Sequence, residues 1–82
     1  MEVIYLKNAM IRLSTVNDVK NFISISSKYD FDIDVLSGRY IIDAKSIMGL
    51  FSLDLSQPIC VQTSTNNSDQ FFKDIQEFII KE

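Results

Sequence analysis

The chain has 82 residues, of which 8 are lysine or arginine and 11 are aspartate or glutamate, so its formal charge at pH 7 is −3. A hydrophobic content of 46% excludes intrinsic disorder, and the negative balance argues against a broad basic face for DNA or RNA. The chain has no histidine and one cysteine, Cys60, which excludes histidine-based catalysis and an internal disulfide. We expect one domain over residues 1–82, soluble and cytoplasmic, without a signal peptide or membrane span.

The first part of the chain predicts a strand, a helix and a second strand. Residues 3–6 are β-prone and predict a first strand. Apolar residues then recur at spacings of three and four, which predicts an amphipathic helix from residue 16 to about residue 28. Thr15 and Asp18 have the spacing of a capping box at the start of this helix. Apolar residues alternate with aspartates over residues 31–35, which predicts a strand with one solvent-exposed face.

A hairpin and a short helix are predicted next. Ser37 and Gly38 supply a turn into a returning strand at residues 40–42. Ser46 follows as the expected N-cap of a helix that ends near residue 53.

The last part of the chain predicts a strand and a helix. Pro58 opens a strand that continues over residues 59–64. Proline is tolerated there because it stands at the first position of the strand. Asn67 and Gln70 have the spacing of another capping box. The helix that follows is expected to run nearly to Glu82, with an apolar stripe that should be buried against the sheet: Phe71, Phe72, Ile75, Phe78 and Ile79.

The order of the predicted elements is β-α-β-β-α-β-α. Half-exposed strands and one-faced helices indicate an α+β fold, an open-faced two-layer β-sandwich with a four-stranded antiparallel sheet and three helices on one face. A ferredoxin-like β-α-β-β-α-β fold is the alternative, and the shortness of the middle helix argues against it.

The sequence offers no group of residues suited to enzyme catalysis or to a cofactor. Catalysis by serine or cysteine needs an adjacent base, and no histidine is present to act as one. Cys60 lies among apolar neighbours in a predicted strand and is expected to be an inert thiol. Asp30, Asp32 and Asp34 alternate along a predicted strand face but lack the glycine and the later glutamate of a calcium loop. We expect no catalytic residue, no metal ion and no cofactor.

The predicted middle helix is unusually apolar for a short helix in a small chain. Ile47, Leu50 and Leu53 lie near one side and can face the core, with Ile47 at the border of that side. Met48 and Phe51 project from a different side, and exposed methionine and phenylalanine together are typical of adaptable binding surfaces. Two interpretations stay open at this point, a binding patch and a helix buried on all sides.

The residues around this helix carry a resemblance to a known family. Residues 45–49 (Lys-Ser-Ile-Met-Gly), followed by Ser52 and Leu53, are similar to the regulatory segment of HPr, the small phosphocarrier of the bacterial phosphoenolpyruvate-dependent sugar phosphotransferase system. Residues 27–30 and Asp32 resemble the end of the first helix and the start of the second strand of that family. The predicted element order also matches the family along the whole chain, so the resemblance implies the HPr fold.

The resemblance ends where the phosphocarrier chemistry of the family is located. HPr proteins have a phospho-accepting histidine at the start of the first helix, followed by an arginine and a proline, whereas a gapless alignment places Thr15, Asn17 and Asp18 there. A threonine ester transfers its phosphoryl group much less readily than a phosphohistidine, and loss of the arginine removes donors for phosphate oxygens. The resemblance implies a degenerate phosphocarrier site. Either Arg12 and the helix N-terminus keep a vestigial anion site, or Thr15 is only a helix cap.

Ser46 matches the residue that a dedicated kinase phosphorylates in HPr of many low-GC Gram-positive bacteria. A phosphate at this position adds about −1.5 to −2 charge at a helix N-terminus, which the helix dipole favours. The resemblance therefore implies regulatory phosphorylation of Ser46, with partner contacts expected from Lys45, Ile47, Met48 and Phe51. A simple capping role for Ser46 is the alternative.

Taken together, the residues and the resemblance imply a regulatory or protein-interaction module of the phosphotransferase system that is not competent for histidine phosphotransfer. The expected partners are proteins of sugar transport or carbon-catabolite regulation, including a kinase and a transcription regulator, without direct binding to nucleic acid or membrane. Two alternatives are a phosphotransfer component or docking relic that uses a residue other than histidine, and a small-ligand sensor that uses the sheet face.

Overall fold

The computed structural model describes residues 7–65 and 67–80. The first half contains β1 (Lys7–Ile11), α1 (Val16–Ser26), β2 (Ile33–Ser37) and β3 (Tyr40–Asp43). The second half contains α2 (Ile47–Phe51), β4 (Ile59–Thr63), α3 (Asp69–Asp74) and a 3-10 turn at Gln76–Phe78. The predicted β-α-β-β-α-β-α order is confirmed, but β1 covers residues 7–11, for which no strand was predicted. The strand predicted over residues 3–6 lies outside the described residues.

The four strands form one sheet in the order β1-β4-β2-β3. Each neighbouring pair is antiparallel, and the central pair places Val35 of β2 opposite Val61 of β4. A ferredoxin-like sheet pairs its first and third strands, whereas here β1 pairs with β4 and β3 lies at the far edge. This strand order excludes the ferredoxin-like alternative and confirms the open-faced α+β sandwich.

The core lies between one face of the sheet and the helices. In the two central strands, β2 and β4, alternate residues are fully buried there, because successive side chains of a strand point to opposite faces. Phe22 of α1 lies at the centre, with its ring centroid 6.4 Å from those of Phe71 and Phe78 and in edge-on geometry with both. The predicted burial of Phe71, Ile75 and Phe78 is confirmed, and Ile79 is half-buried at the core margin.

The C-terminal segment differs from the prediction. The expected helix to residue 82 is wrong, because α3 ends at Asp74 and a 3-10 turn follows. Residues 78–80 then run along the outer edge of β1. The Phe78 carbonyl accepts from the Arg12 N–H at 2.9 Å, and the Ile80 N–H donates to the Met10 carbonyl at 3.0 Å. An unpaired sheet edge offers these bonds at a long sequence separation, so it overrides the local helical pattern.

Two further boundaries are corrected. The capping box expected at residues 67–70 is wrong, because Ser68 is the N-cap of α3 and makes no side-chain capping bond. Its hydroxyl is buried and donates to the Thr65 carbonyl at 3.1 Å instead. β2 begins at Ile33, so Asp30 and Asp32 precede the strand and only Asp34 lies within it. α1 ends at Ser26, two residues before the expected end.

Tyr29 ties the end of α1 to the end of α3. Its hydroxyl donates a hydrogen bond to the Asp74 carboxylate, and Gln70 donates to the other Asp74 oxygen at 2.9 Å. The hydrogen bond to Asp74, burial and the negative charge of that carboxylate raise the pKa of Tyr29 to about 12. The bonds from Tyr29 and Gln70 lower the pKa of Asp74.

The truncation Phe78→Ala removes a ring that is 5% exposed and lies against Phe22. We expect it to lower the free energy of unfolding by about 3–5 kcal/mol, which approaches the whole stability of a small domain. Urea denaturation measures this loss, with Phe72→Ala as the control because Phe72 is only half-buried. Equal losses for the two variants would contradict the proposed core.

The Tyr29 contact predicts a pH dependence. Its pKa is raised above the ordinary value of 10.0, so the contact stabilises the fold fully below pH 10 and this stabilisation is lost as the pH rises towards about 12. Tyr29→Phe should therefore lower the melting temperature at neutral pH and flatten its fall in the alkaline range. Tyr40→Phe is the matched control because Tyr40 is exposed. Parallel alkaline profiles for the two variants would rule out the contact.

Candidate functional site

The start of α1 is capped by side chains of its own first turn. The Thr15 hydroxyl accepts from the Asp18 N–H at 3.0 Å, and the Asp18 carboxylate accepts from the N–H groups of Thr15 and Ser14, the latter at 2.9 Å. The predicted capping box is confirmed. The capping box thus satisfies the N–H groups of Thr15 and Asp18 within the chain and places a carboxylate at the helix terminus, which would otherwise attract an anion.

A shallow cleft of about 490 Å³ lies between the start of α1 and the segment after α2. We call this the α1–α2 cleft. Its lining is mostly apolar and is supplied by residues 12–16, Val19, Phe51, Leu55 and Ser56. Among the predicted site residues, Arg12, Thr15 and Phe51 therefore meet in one place. Asn17 is exposed on α1 and is not part of the lining.

The start of α2 is capped by Ser46. Its hydroxyl accepts from the Gly49 N–H at 3.2 Å, which confirms the predicted cap. Gly49 allows α2 to lie directly on β3, because a Cβ at this position would be 2.5 Å from the Ile42 Cγ2 atom. The sheet thus holds one side of α2, and the other side faces outwards.

The outward side of α2 is an apolar surface formed by Ile47, Met48 and Phe51, which we call the α2 patch. These side chains are 42%, 80% and 44% exposed, whereas Leu50 on the opposite side is fully buried. The interpretation of α2 as a helix buried on all sides is therefore wrong. Phe51 belongs to both the α2 patch and the α1–α2 cleft, so the two surfaces are continuous.

Lys45 is committed to contacts within the chain. Its ammonium group donates to the Tyr29 carbonyl at 2.6 Å and lies 3.4 Å from the Phe31 carbonyl. These bonds hold the loop between α1 and β2, because a buried carbonyl needs a donor. A partner contact by Lys45 remains a prediction, and it requires the side chain to leave these carbonyls.

Six residues of the cleft lining were not predicted as site residues, and Val16 and Leu55 are two of them. Val16 is the first residue of α1 and is 56% exposed, and Leu55 is half-buried at the opposite wall. The loop that carries Leu55 is fixed by Asp54, whose carboxylate accepts from the backbone N–H and hydroxyl of Ser56. These bonds lower the pKa of Asp54. The sequence feature that could have pointed to Val16 is its position, since it is a β-branched apolar residue at the start of the predicted helix.

The described residues contain no cluster of three or more potential metal ligands. Cys60 lies half-buried in β4, and burial raises the pKa of its thiol, which disfavours the reactive thiolate. No helix in the same residues has the length and apolar character needed to span a membrane.

Comparison with solved structures identifies the fold. HPr-C-His from Thermoanaerobacter tengcongensis aligns with a TM-score of 0.74 at 24% identity, over 89% of this chain and 90% of that one. The phosphocarrier protein HPr from Bacillus anthracis aligns with a TM-score of 0.70 at 17% identity, over 90% of this chain and 96% of that one. The histidine-containing phosphocarrier protein of Mycoplasma gives 0.67 at 21% identity, with coverages of 87% and 86%.

No family model and no curated protein matches the sequence. The structural likeness therefore shows that this chain has the HPr fold, and the predicted fold is confirmed.

Truncations in α2 should separate its two sides. We expect Met48→Ala to change the free energy of unfolding by about 0.5 kcal/mol or less, because the side chain is mostly in solvent. Leu50→Ala should cost about 2–5 kcal/mol, because it leaves a cavity in the core. Phe51→Ala should lie between the two, since part of its ring packs in the cleft. Thermal or urea unfolding measures all three, and equal costs for Met48 and Leu50 would contradict the exposed patch.

Proposed function

We propose that this chain is an HPr-like protein of the phosphoenolpyruvate-dependent sugar phosphotransferase system that acts by binding other proteins and does not carry phosphoryl groups on histidine. The observation that carries this proposal is the α2 patch, an exposed apolar surface continuous with the cleft at the start of α1. Two of the solved structures that share the fold of this chain are described as phosphocarrier proteins, which supports the proposed link to the phosphotransferase system.

The chemistry at the start of α1 supports the loss of phosphotransfer. No histidine is present anywhere in the sequence. Thr15 takes the place that the resemblance gives to the phospho-accepting histidine, and its hydroxyl is engaged as a helix cap. The Asp18 carboxylate accepts from the N–H groups of Ser14 and Thr15, and its negative charge disfavours an anion at this helix end. Among the described residues, Arg12 is the one that supplies a positive charge to the cleft lining.

Ser46 is the proposed regulatory residue. It directly precedes the α2 patch, and its hydroxyl is half-buried against Gly49. A phosphate ester at this oxygen adds charge and acceptor oxygens at the border of an apolar surface. A partner that reads both the phosphate and the patch would distinguish the phosphorylated form, because the unmodified form offers the apolar anchors alone.

The proposed partners are proteins of sugar transport or carbon-catabolite regulation, including a kinase for Ser46 and a transcription regulator. Ile47, Met48 and Phe51 are the anchors, since exposed apolar side chains bury surface at little cost in desolvation. Lys45 contributes if it is released from the Tyr29 carbonyl.

A second candidate function has one observation in its favour. Arg12 and Thr15 line the same cleft, so a phosphotransfer component that uses threonine would have a cation in the cleft that holds its acceptor oxygen. The Asp18 carboxylate at the same helix end disfavours this function.

Labelling with radioactive phosphate tests the proposal. Incubation with labelled phosphoenolpyruvate and the general phosphotransferase enzyme should leave this protein unlabelled, while authentic HPr in a parallel reaction gains acid-labile phosphate. Incubation with ATP and the HPr serine kinase should give an acid-stable label that is absent from Ser46→Ala. Ser52→Ala is the matched control, because Ser52 is exposed at the other end of α2.

Each failure of this prediction has a separate meaning. Label from phosphoenolpyruvate that disappears in Thr15→Val would support the second candidate and contradict the first. Absence of kinase label on the folded protein would remove Ser46 from the mechanism. A Met48→Ser and Phe51→Ser double variant that is folded and still binds every purified partner of the wild type would remove the α2 patch.

A further inference from the structure

β3 forms an exposed edge of the sheet. It pairs with β2 on one side and has no strand on the other among the described residues. Gly38 and Arg39 form the two-residue connection between β2 and β3, and Gly38 has a φ of 60°, as a tight type II′ hairpin turn requires at its first position. The outer edge of β3 is therefore short and is positioned by a rigid turn.

The hydrogen-bond pattern fixes which backbone groups of this edge point outwards. Ser37 lies opposite Tyr40, and the Ala44 N–H donates to the Ile33 carbonyl, so even-numbered residues of β3 bond to β2. Ile41 lies between them, opposite Leu36 in the pair that exchanges no hydrogen bonds. The N–H and carbonyl of Ile41 consequently face away from the sheet, and within the described residues no other segment binds them.

The side chains at this edge are unusually apolar for an exposed strand. Tyr40 is 62% exposed and Ile41 is 64% exposed. Natural edges are generally protected by charges, prolines or bulges, since unpaired backbone groups with apolar side chains pair readily with another strand. Here the charges lie only at the two ends, with Arg39 before β3 and Asp43 as its last residue.

We propose that β3 pairs antiparallel with β3 of a second copy of this chain, with Ile41 opposite Ile41 at the two-fold axis. The pairing joins the two four-stranded sheets into one sheet of eight. It goes beyond the proposed function, because it uses the sheet edge and neither the α2 patch nor Ser46.

This register makes every pair across the axis favourable. The two Ile41 residues exchange both N–H···O=C bonds, because their backbone groups point outwards. Tyr40 lies opposite Ile42 of the second copy, an aromatic and β-branched pair of the kind that stabilises sheets. Arg39 lies opposite Asp43 of the second copy, and the symmetry repeats this ion pair at the other end. In the described residues no carboxylate lies within ion-pair distance of Arg39 in its own chain.

Neighbouring registers lose this match. A shift that keeps the outward backbone groups paired places Ile41 opposite Asp43 or opposite Arg39, so both ion pairs are lost and an apolar side chain lies opposite a charged one. Residues 39–43 run in the order positive, aromatic, aliphatic, aliphatic, negative. When two such segments lie antiparallel, the positive end of each lies opposite the negative end of the other, so the segment is complementary to a second copy of itself. A second copy is therefore the occupant that the charges of this edge specify.

Complementary charge variants test the proposal. A four-residue edge is smaller than the roughly 1,000 Å² expected of a stable interface, so we expect a weak dimer whose fraction rises with concentration. Sedimentation velocity should show this dimer between about 20 μM and about 1 mM. Arg39→Glu and Asp43→Lys should each be monomeric, because each variant opposes like charges, and an equal mixture of the two should restore the dimer as a heterodimer.

Controls separate charge pairing from loss of fold. Lys20→Glu makes the same change in charge on the exposed side of α1 and should dimerise like the wild type. Asp43 also accepts from the Lys45 N–H at 2.8 Å, so circular dichroism must show that Asp43→Lys is folded. Should Asp43→Lys unfold, Asp43→Asn with Arg39→Gln tests the same pair by a weakened dimer.

Cysteine trapping tests the register independently. In a Cys60→Ser background, Ile41→Cys places two thiols opposite each other at a Cα separation of about 5.5 Å, which a disulfide spans. Tyr40→Cys places them on a diagonal of about 7–8 Å and should form the dimer far more slowly.

Equal trapping at positions 40 and 41 would overturn the register, and a wild-type monomer at every concentration would overturn self-pairing. A mixture of Arg39→Glu and Asp43→Lys that remains monomeric would overturn the charge match. In the case of a wild-type monomer, the edge would be left for a strand of an unlike protein.

Discussion

Burial of only one face of the sheet is the constraint on which the rest of the structure depends. Four strands carry apolar side chains on the helix-facing side, and α1 and the C-terminal segment close that side through the contacts of Phe22 with Phe71 and Phe78. Because β1 and β3 lie at the two ends of the sheet order, the fold leaves two edges as well as an open face. Residues 78–80 cover the edge formed by β1, and no segment within the described part of the chain covers the edge formed by β3. The position of the core and the exposed surfaces both follow from a sheet that is covered by helices on one face only.

The sequence predicts what local interactions decide. The spacing from Thr15 to Asp18 encodes a capping box within one turn, and the alternation in β4 encodes a buried face within five residues. The exposure of Met48 also follows locally, since a short helix with Leu50 on the core side must turn Met48 away from it. Each of these features depends on residues that are close in sequence, within one or two helical turns or within a single strand.

Other features depend on distant partners and could not be predicted in this way. The apolar spacing through Ile79 is typical of a helix. The outer edge of β1, some 70 residues away in sequence, binds the backbone of this segment instead, and local spacing does not predict such a partner. The sequence predicts an exposed cation at Lys45. Its partner, the Tyr29 carbonyl, is 16 residues away and comes close to it only in the folded chain. The same limit applies to the α1–α2 cleft, which brings Val16 and Leu55 together across nearly forty positions.

The start of α1 illustrates how stability and anion binding compete at a helix terminus. A site that receives a phosphoryl group must keep its first amide donors open and its surroundings positive. A capping box works against this, because it satisfies two of those donors within the chain, the N–H groups of Thr15 and Asp18. A lost N-cap side chain costs about 0.5–2 kcal/mol. The Asp18 carboxylate also adds a negative charge at this helix end. A chain capped in this way has the HPr fold and a more stable helix start. Among the described residues, the core also leaves apolar side chains exposed on the α2 patch and at the β3 edge.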